Sequence, residues 1–213
     1  MKTDELITML ATGVAPVQRH SVGRRLGLAF AVGLAGALAL MALVFGPRPD
    51  LASVAATPVF WLKLAFPFSL VLITLWASSR LARPGVPAAR AVALIAVPVI
   101  VVWGAALVAL LLAPATARSE LIFGHTWRSC VFNIQLLAIP TFVTAFAALR
   151  DLAPTRPRLA GAVAGLFASA TGTLVYCLHC PEMATPFWAV WYLLGMAAPT
   201  LIGAALGPRL LRW

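Results

Sequence analysis

Charge is what this sequence lacks most. Of 213 residues six are acidic, and Asp, Glu, Lys and Arg together make up 10%, where a water-soluble domain carries about a quarter. That scarcity excludes an ordinary soluble fold. The six carboxylates, Asp4, Glu5, Asp50, Glu120, Asp151 and Glu182, all fall outside the long apolar runs. Paired acids for general acid and base catalysis within a span are therefore missing, as are the buried acids of an ion-coupled pathway. There is no Ser, His and Asp set suited to nucleophilic attack and no glycine loop to cradle phosphate, so a non-enzymatic role is expected. Three cysteines are an odd number and close no complete disulfide framework. A cleavable signal peptide is not expected either, because the first apolar run starts only at Leu26 and has no small-residue cleavage site after a short core. No low-complexity tract, tandem repeat or soluble domain stands out.

What the chain has instead is hydrophobicity: 62% apolar residues and a mean hydropathy of +0.97. The expected fold class is an all-α integral membrane protein. Six apolar runs, at about residues 26–45, 58–79, 91–113, 131–149, 159–177 and 186–206, are each long enough to cross a bilayer as a helix. Ala29, Gly33 and Ala37 form a small-residue stripe in the first run, and Gly161 and Gly165 have GxxxG spacing in the fifth, where packing of the protein against itself is the plainest reading. Lys63 lies near one end of the second run, within snorkelling reach of the interface. Pro98 is a candidate kink in the third. Asn133, Gln135 and Pro140 mark a bundle-facing side of the fourth, and Trp188, Trp191 and Tyr192 suggest an interfacial belt at the start of the sixth.

The net charge of +10 reads as topology and not as nucleic-acid binding, because the basic residues cluster at the ends of apolar runs. Threading six spans puts Lys2, Arg19, Arg24, Arg25, Arg80, Arg83, Arg90, Arg150, Arg156, Arg158, Arg209 and Arg212 on one side, and Arg48, Lys63, Arg118 and Arg128 on the other. The positive-inside rule then places both termini in the cytoplasm. Residues 1–23 form a cytoplasmic N-terminal segment and residues 24–213 the six-helix domain. Within the segment, Thr3 caps a short helix with Asp4 and Glu5 in its first turn; Leu6, Ile7, Met9 and Leu10 share one side, and Gly13 and Pro16 stop it. A helix this short needs a partner for its apolar side, and bilayer, own loops or a protein groove all suit it.

The residues with most chemistry sit in two outer turns, GHTWRSC (residues 124–130) and YCLHCPE (residues 176–182). Cys130 precedes the fourth span and Cys180 follows the fifth, so neighbouring helices could pair them, while Cys177 offers a second partner. Cys130, Cys180, His179, His125 and Glu182 are also ligand types for a soft or borderline metal ion, although not at structural-zinc spacing. The plain alternative is that the cysteines pack as small apolar residues and both histidines are solvated.

Taken together, MKTDELITMLA (residues 1–11), TPVFWLKLAFP (57–67), GHTWRSC, APTRPRLAGA (153–162), LHCPE (178–182) and FWAVWYLLG (187–195) resemble the NrsF family of bacterial membrane anti-sigma factors. The resemblance implies a multi-pass inner-membrane protein that holds an extracytoplasmic-function (ECF) sigma factor at the cytoplasmic face and releases it under stress, heavy metals included. It implies sensing thiols at Cys130 and Cys180, with Cys177 an addition to the usual motif, and a sigma-binding segment comprising Asp4, Glu5, Leu6, Ile7, Met9 and Leu10. No cofactor is firmly implied beyond a transient heavy-metal ion at the outer cysteines. The partners expected are the sigma factor and the lipid bilayer, without direct nucleic-acid contact and with the oligomeric state open. Two other classes also fit the bare sequence: a small transporter using Asn133 and Gln135, and a thiol-redox membrane protein using Cys177 and Cys180.

Overall fold

A computed structural model describes residues 3–12 and 21–212. Gly13, Pro16, Lys2 and Arg19 of the sequence reading lie outside the described residues. Among the described residues every regular element is helical: α1 (Thr3–Ala11), α2 (Ser21–Val44), α3 (Leu51–Ala55), α4 (Pro58–Leu81), α5 (Ala89–Ala93), α6 (Ala96–Leu112), a 3-10 turn (Ala115–Ala117), α7 (Arg118–Phe123), α8 (Trp127–Arg150), α9 (Pro157–Tyr176), α10 (Thr185–Phe187), a π-helical turn (Trp188–Tyr192) and α11 (Leu193–Leu210). Six stretches are long and apolar enough to cross a membrane: Ser21–Val44, Pro58–Leu81, Ala89–Leu112, Ala115–Arg150, Pro157–Tyr176 and Thr185–Leu210. Helix ends run past the apolar windows where polar residues such as Ser21 and Trp127 to Ser129 extend the same hydrogen-bonded spiral.

The hub is α9, which packs against α11, α8, α4 and α2. Its sequence explains this. Gly, Ala, Ser and Thr dominate it, and in lipid, where apolar burial gives no net drive, close backbone approach supplies the contact energy. A methyl group on Gly161 would overlap the carbonyl oxygen of Gly203, and one on Gly165 would overlap that of Pro199. On the face toward α8, one on Gly172 would come within 2.8 Å of the Ala138 nitrogen. The GxxxG spacing thus packs the chain against itself. Ser169, Thr171 and Thr173 are buried with their hydroxyls donating to carbonyls one turn back, at 2.8 to 2.9 Å, so they bring no unpaired polar group into the core.

Around this hub, α2 lies on α8 through the expected stripe: Ala29, Gly33 and Ala37 are buried, and the Thr144 hydroxyl donates to the Ala29 carbonyl at 2.8 Å. The outermost of the spanning helices is α6, which buries only Pro98, Val102 and Ala106 and turns Ile100, Trp103, Leu107 and Leu111 outward, as a lipid-facing helix should. Pro98 lies inside the Ala89–Leu112 span and interrupts it: with no N–H to donate to the Leu94 carbonyl, it leaves the helix broken one turn upstream, at Leu94 and Ile95, between α5 and α6. Asn133 and Gln135 are half-buried on α8.

Every residue of α1 is exposed, including Leu6, Ile7, Met9 and Leu10, and Asp4 and Glu5 occupy its first turn as the sequence suggests. The helix is described from Thr3 onward, and the Thr8 hydroxyl donates to the Asp4 carbonyl at 2.8 Å.

Candidate functional site

Chain alternation carries the two outer turns of the sequence reading to one end of the bundle. The segment after α9, residues 177–184, lies there among the ends of α2, α4, α8 and α10. Its backbone is held by side chains of other elements. Lys63 on α4 is fully buried, and its ammonium donates to the carbonyl oxygens of Cys180 at 2.7 Å and Glu182 at 2.8 Å. Arg48, in the turn after α2, donates its backbone N–H to Leu178 at 3.1 Å and its guanidinium to Cys180 at 3.3 Å and Pro181 at 3.5 Å. Two cations therefore converge on one carbonyl. Trp188 adds a donor to the Glu182 carbonyl at 3.2 Å.

The snorkelling expectation for Lys63 fails for a physical reason. With two carbonyl acceptors within reach inside the bundle, the ammonium is solvated by protein and has no need of the interface. The ring of Tyr192, 6.0 Å away, adds a further favourable contact. Arg48 has a counter-ion in Asp50, bonded at 2.6 and 2.8 Å; the guanidinium holds the Asp50 carboxyl below its ordinary value of 3.8.

Cys130, Cys177 and Cys180 are all fully buried, in one core with Tyr176, Phe187 and Tyr192, and none is disulfide-bonded. Cys177 has its sulfur 4.0 Å from the Lys63 carbonyl and 3.9 Å from the Tyr192 hydroxyl. The thiols pack as small apolar residues. The expected aromatic belt is also internal: Tyr192 and Trp188 are buried, and Trp191 is half-buried with its indole donating to the Ile122 carbonyl at 2.8 Å. A lipid-facing girdle would leave these rings outside. Instead the π-helical turn sits in this aromatic cluster, against α6 and α8.

Of the remaining candidate ligands, Glu182 and His179 are already engaged. One oxygen of Glu182 accepts from the backbone N–H groups of His125 at 2.7 Å and Thr126 at 3.1 Å and from the Thr126 hydroxyl at 3.2 Å, so the carboxylate caps α8 at the positive end of its dipole. Gly124 (φ +52°) permits this approach, since a side chain there would run into that carboxylate. His179 is not solvated: it is half-buried, with Nδ1 2.9 Å from the Gly46 carbonyl and its ring beside Phe45 and Tyr176. His125 is exposed. Among the described residues no three His, Cys, Asp or Glu side chains gather into a ready metal site.

Sequence reasoning missed Arg48 and Lys63 as members of this cluster, because it counted both as orientation charges. The signal available was Lys63 itself, an ionisable residue one and a half turns inside a span, where such residues are rare without a purpose. Chemically, the assembly is a thiol-bearing loop whose carbonyls and carboxylate tie four spanning stretches together.

Comparison with known proteins places this geometry in context. The family described as "Negative regulator of sigma F", NrsF, matches residues 10–213. A probable anti-sigma-F factor NrsF from Azospira oryzae is 45% identical over 213 residues, covering all of both chains. The anti-sigma-F factor NrsF of Caulobacter vibrioides is 39% identical over 218 aligned positions, again covering all of both chains. No solved structure matches the chain.

Proposed function

Because the chain belongs to the NrsF family of negative regulators of sigma F, we propose that it holds an ECF sigma factor inactive at the cytoplasmic face of the bacterial inner membrane and releases it when its outer thiols react. The observation that carries this reading is the residue 177–184 loop, where Cys180 supplies the carbonyl on which Lys63 and Arg48 meet. Modification of Cys180 by an oxidant or a thiophilic metal ion enlarges a side chain that has no free space, and the loop must move. Movement there pulls on the ends of α2, α4, α8 and α10 together.

Transmission to the far end runs through α9. It carries Cys177 at one terminus and Pro157, next to the arginine-bearing loop, at the other, and its glycine contacts with α11 leave no slack. A close-packed rod of this kind shifts as a unit. The uneven distribution of Lys and Arg supports placing the thiol end outside and the arginine-rich end, with α1, in the cytoplasm. There, Leu6, Ile7, Met9 and Leu10 of α1 are exposed and fit a helix-in-groove contact on the sigma factor, with Asp4 and Glu5 at its start. Heavy-metal capture requires rearrangement of Cys130 and Cys180, since both are buried and the His179 ring and the Glu182 carboxylate are bonded to other groups.

Two variants test the reading. Full-length protein carrying Leu6→Asp and Leu10→Asp is expected to lose co-purification with the sigma factor, and undiminished recovery would refute the docking surface. A Cys130→Ser, Cys180→Ser protein is expected to keep the sigma factor bound during cadmium exposure; normal induction of the regulon would refute thiol sensing.

A further inference from the structure

At the end opposite the thiols, a cavity of about 260 Å³ opens between the α4–α5 turn and the α8–α9 loop, lined by Arg80, Arg83, Gly85, Pro87, Thr155 and Arg156. We propose that it binds the phosphate of an anionic phospholipid headgroup. Three guanidinium groups border it and no carboxylate does. The larger cavity at this end, about 730 Å³ between α2 and α8, differs on that point: Asp151 stands 2.8 Å from Arg25, so its charge is largely answered within the protein.

Arg80 is fixed in advance. Its Nε donates to the Pro87 carbonyl at 2.7 Å, and the guanidinium lies over the Trp76 ring at 5.6 Å. The turn that returns Pro87 to Arg80 passes through Gly85 at φ +78°, a conformation that favours glycine. With Nε occupied, the two terminal amino groups of the fork remain for an anion, and little side-chain freedom is left to lose on binding. Arg83 and Arg156 are exposed and close the pocket from the two loops.

The same residues select lipid over a soluble anion. Trp76 sits one turn before Arg80 on a spanning helix and is 41% exposed. An outward indole at the end of a span lies at headgroup depth, which sets the adjoining guanidinium level with lipid phosphates. Basic pockets between spanning helices are suited to anionic headgroups for this reason.

The test uses full-length protein in neutral detergent, titrated with phosphatidylglycerol or zwitterionic phosphatidylcholine, with bound lipid counted by native mass spectrometry. Wild-type protein is expected to retain phosphatidylglycerol in preference. Arg83→Gln with Arg156→Gln, both at exposed positions and checked for monodisperse elution, is expected to weaken that retention roughly tenfold or more. Arg118→Gln, an exposed charge at the other end, should leave it unchanged. Equal retention of the two lipids by wild type, or an equal loss in Arg118→Gln, would overturn the assignment. Displacement of phosphatidylglycerol by an equal concentration of inorganic phosphate would reassign the pocket to a soluble anion. If the double variant keeps its lipid but loses the sigma factor, these arginines belong to a protein interface and the lipid site falls.

Discussion

The ammonium of Lys63 and the carbonyl oxygen of Cys180 are 2.7 Å apart, wholly out of solvent and 117 residues apart in the chain. Replacing Lys63 with Met removes a charge that is costly to bury but also takes a donor from two carbonyls. Each carbonyl keeps a weaker one, Arg48 for Cys180 and Trp188 for Glu182, so a moderate loss of about 1–3 kcal/mol is expected. The sharper outcome is local. A permeant maleimide should label Cys180 about tenfold faster in Lys63→Met than in wild type, the equivalent of ~1.4 kcal/mol in the opening equilibrium of the loop.

Glu182 reaches across from the thiol loop to cap α8. Glu182→Ala strips the cap and its charge from the helix N-terminus and should cost about 1–2 kcal/mol in denaturation of the detergent-solubilised protein. Glu182→Gln keeps an acceptor oxygen and should lose less than half as much. Equal losses would mean that the negative charge, and not the hydrogen bonds to His125 and Thr126, is what counts.

Contact between α9 and α11 depends on the absence of side chains. Gly161→Val or Gly203→Val puts atoms where a carbonyl oxygen already stands, and overpacking of this kind costs at least about 1–3 kcal/mol. A marked fall in folded yield and in resistance to denaturant is expected. By contrast, nothing lies within 4 Å of the position a Gly104 methyl would take, so Gly104→Ala should be neutral or gain about 0.5–1 kcal/mol from helix propensity.

Orientation can be read with an impermeant thiol reagent on intact cells. The native cysteines are buried and should stay silent, so new ones can be introduced directly. Ser129→Cys, exposed at the thiol end, should label, whereas Thr8→Cys and Thr155→Cys should label only after permeabilisation. The reverse pattern would invert the topology.

Acid should act on the Arg48–Asp50 pair with a definite sign. Arg48 lowers the Asp50 carboxyl below its ordinary 3.8, so the stabilisation is complete above that value and disappears as pH falls through the lower folded-state value. The difference in thermal midpoint between wild type and Asp50→Asn should therefore be constant from pH 7 to about pH 5 and vanish in strong acid. Because Asp50 is solvent-exposed, the difference will be small throughout.

Much of the architecture could be read along the chain. The six spans, the Ala29, Gly33 and Ala37 stripe, and the exposed apolar side of α1 follow from run length and spacing alone. The thiol site was legible only as a set of residue types. Which of them touch, and which are already engaged, was hidden because Glu182 meets His125 across 57 residues and Lys63 meets Cys180 across 117.

Hydropathy and arginine placement are one-dimensional properties, and a bilayer reads them one segment at a time, so the sequence by itself determined that this chain is a six-span membrane protein with its thiols and its arginine clusters at opposite ends. Tertiary structure decided the rest. Inside the bundle a polar group must find its partner in the protein, and packing alone chose carbonyls for Lys63, an α-helix terminus for Glu182 and an apolar core for the three thiols.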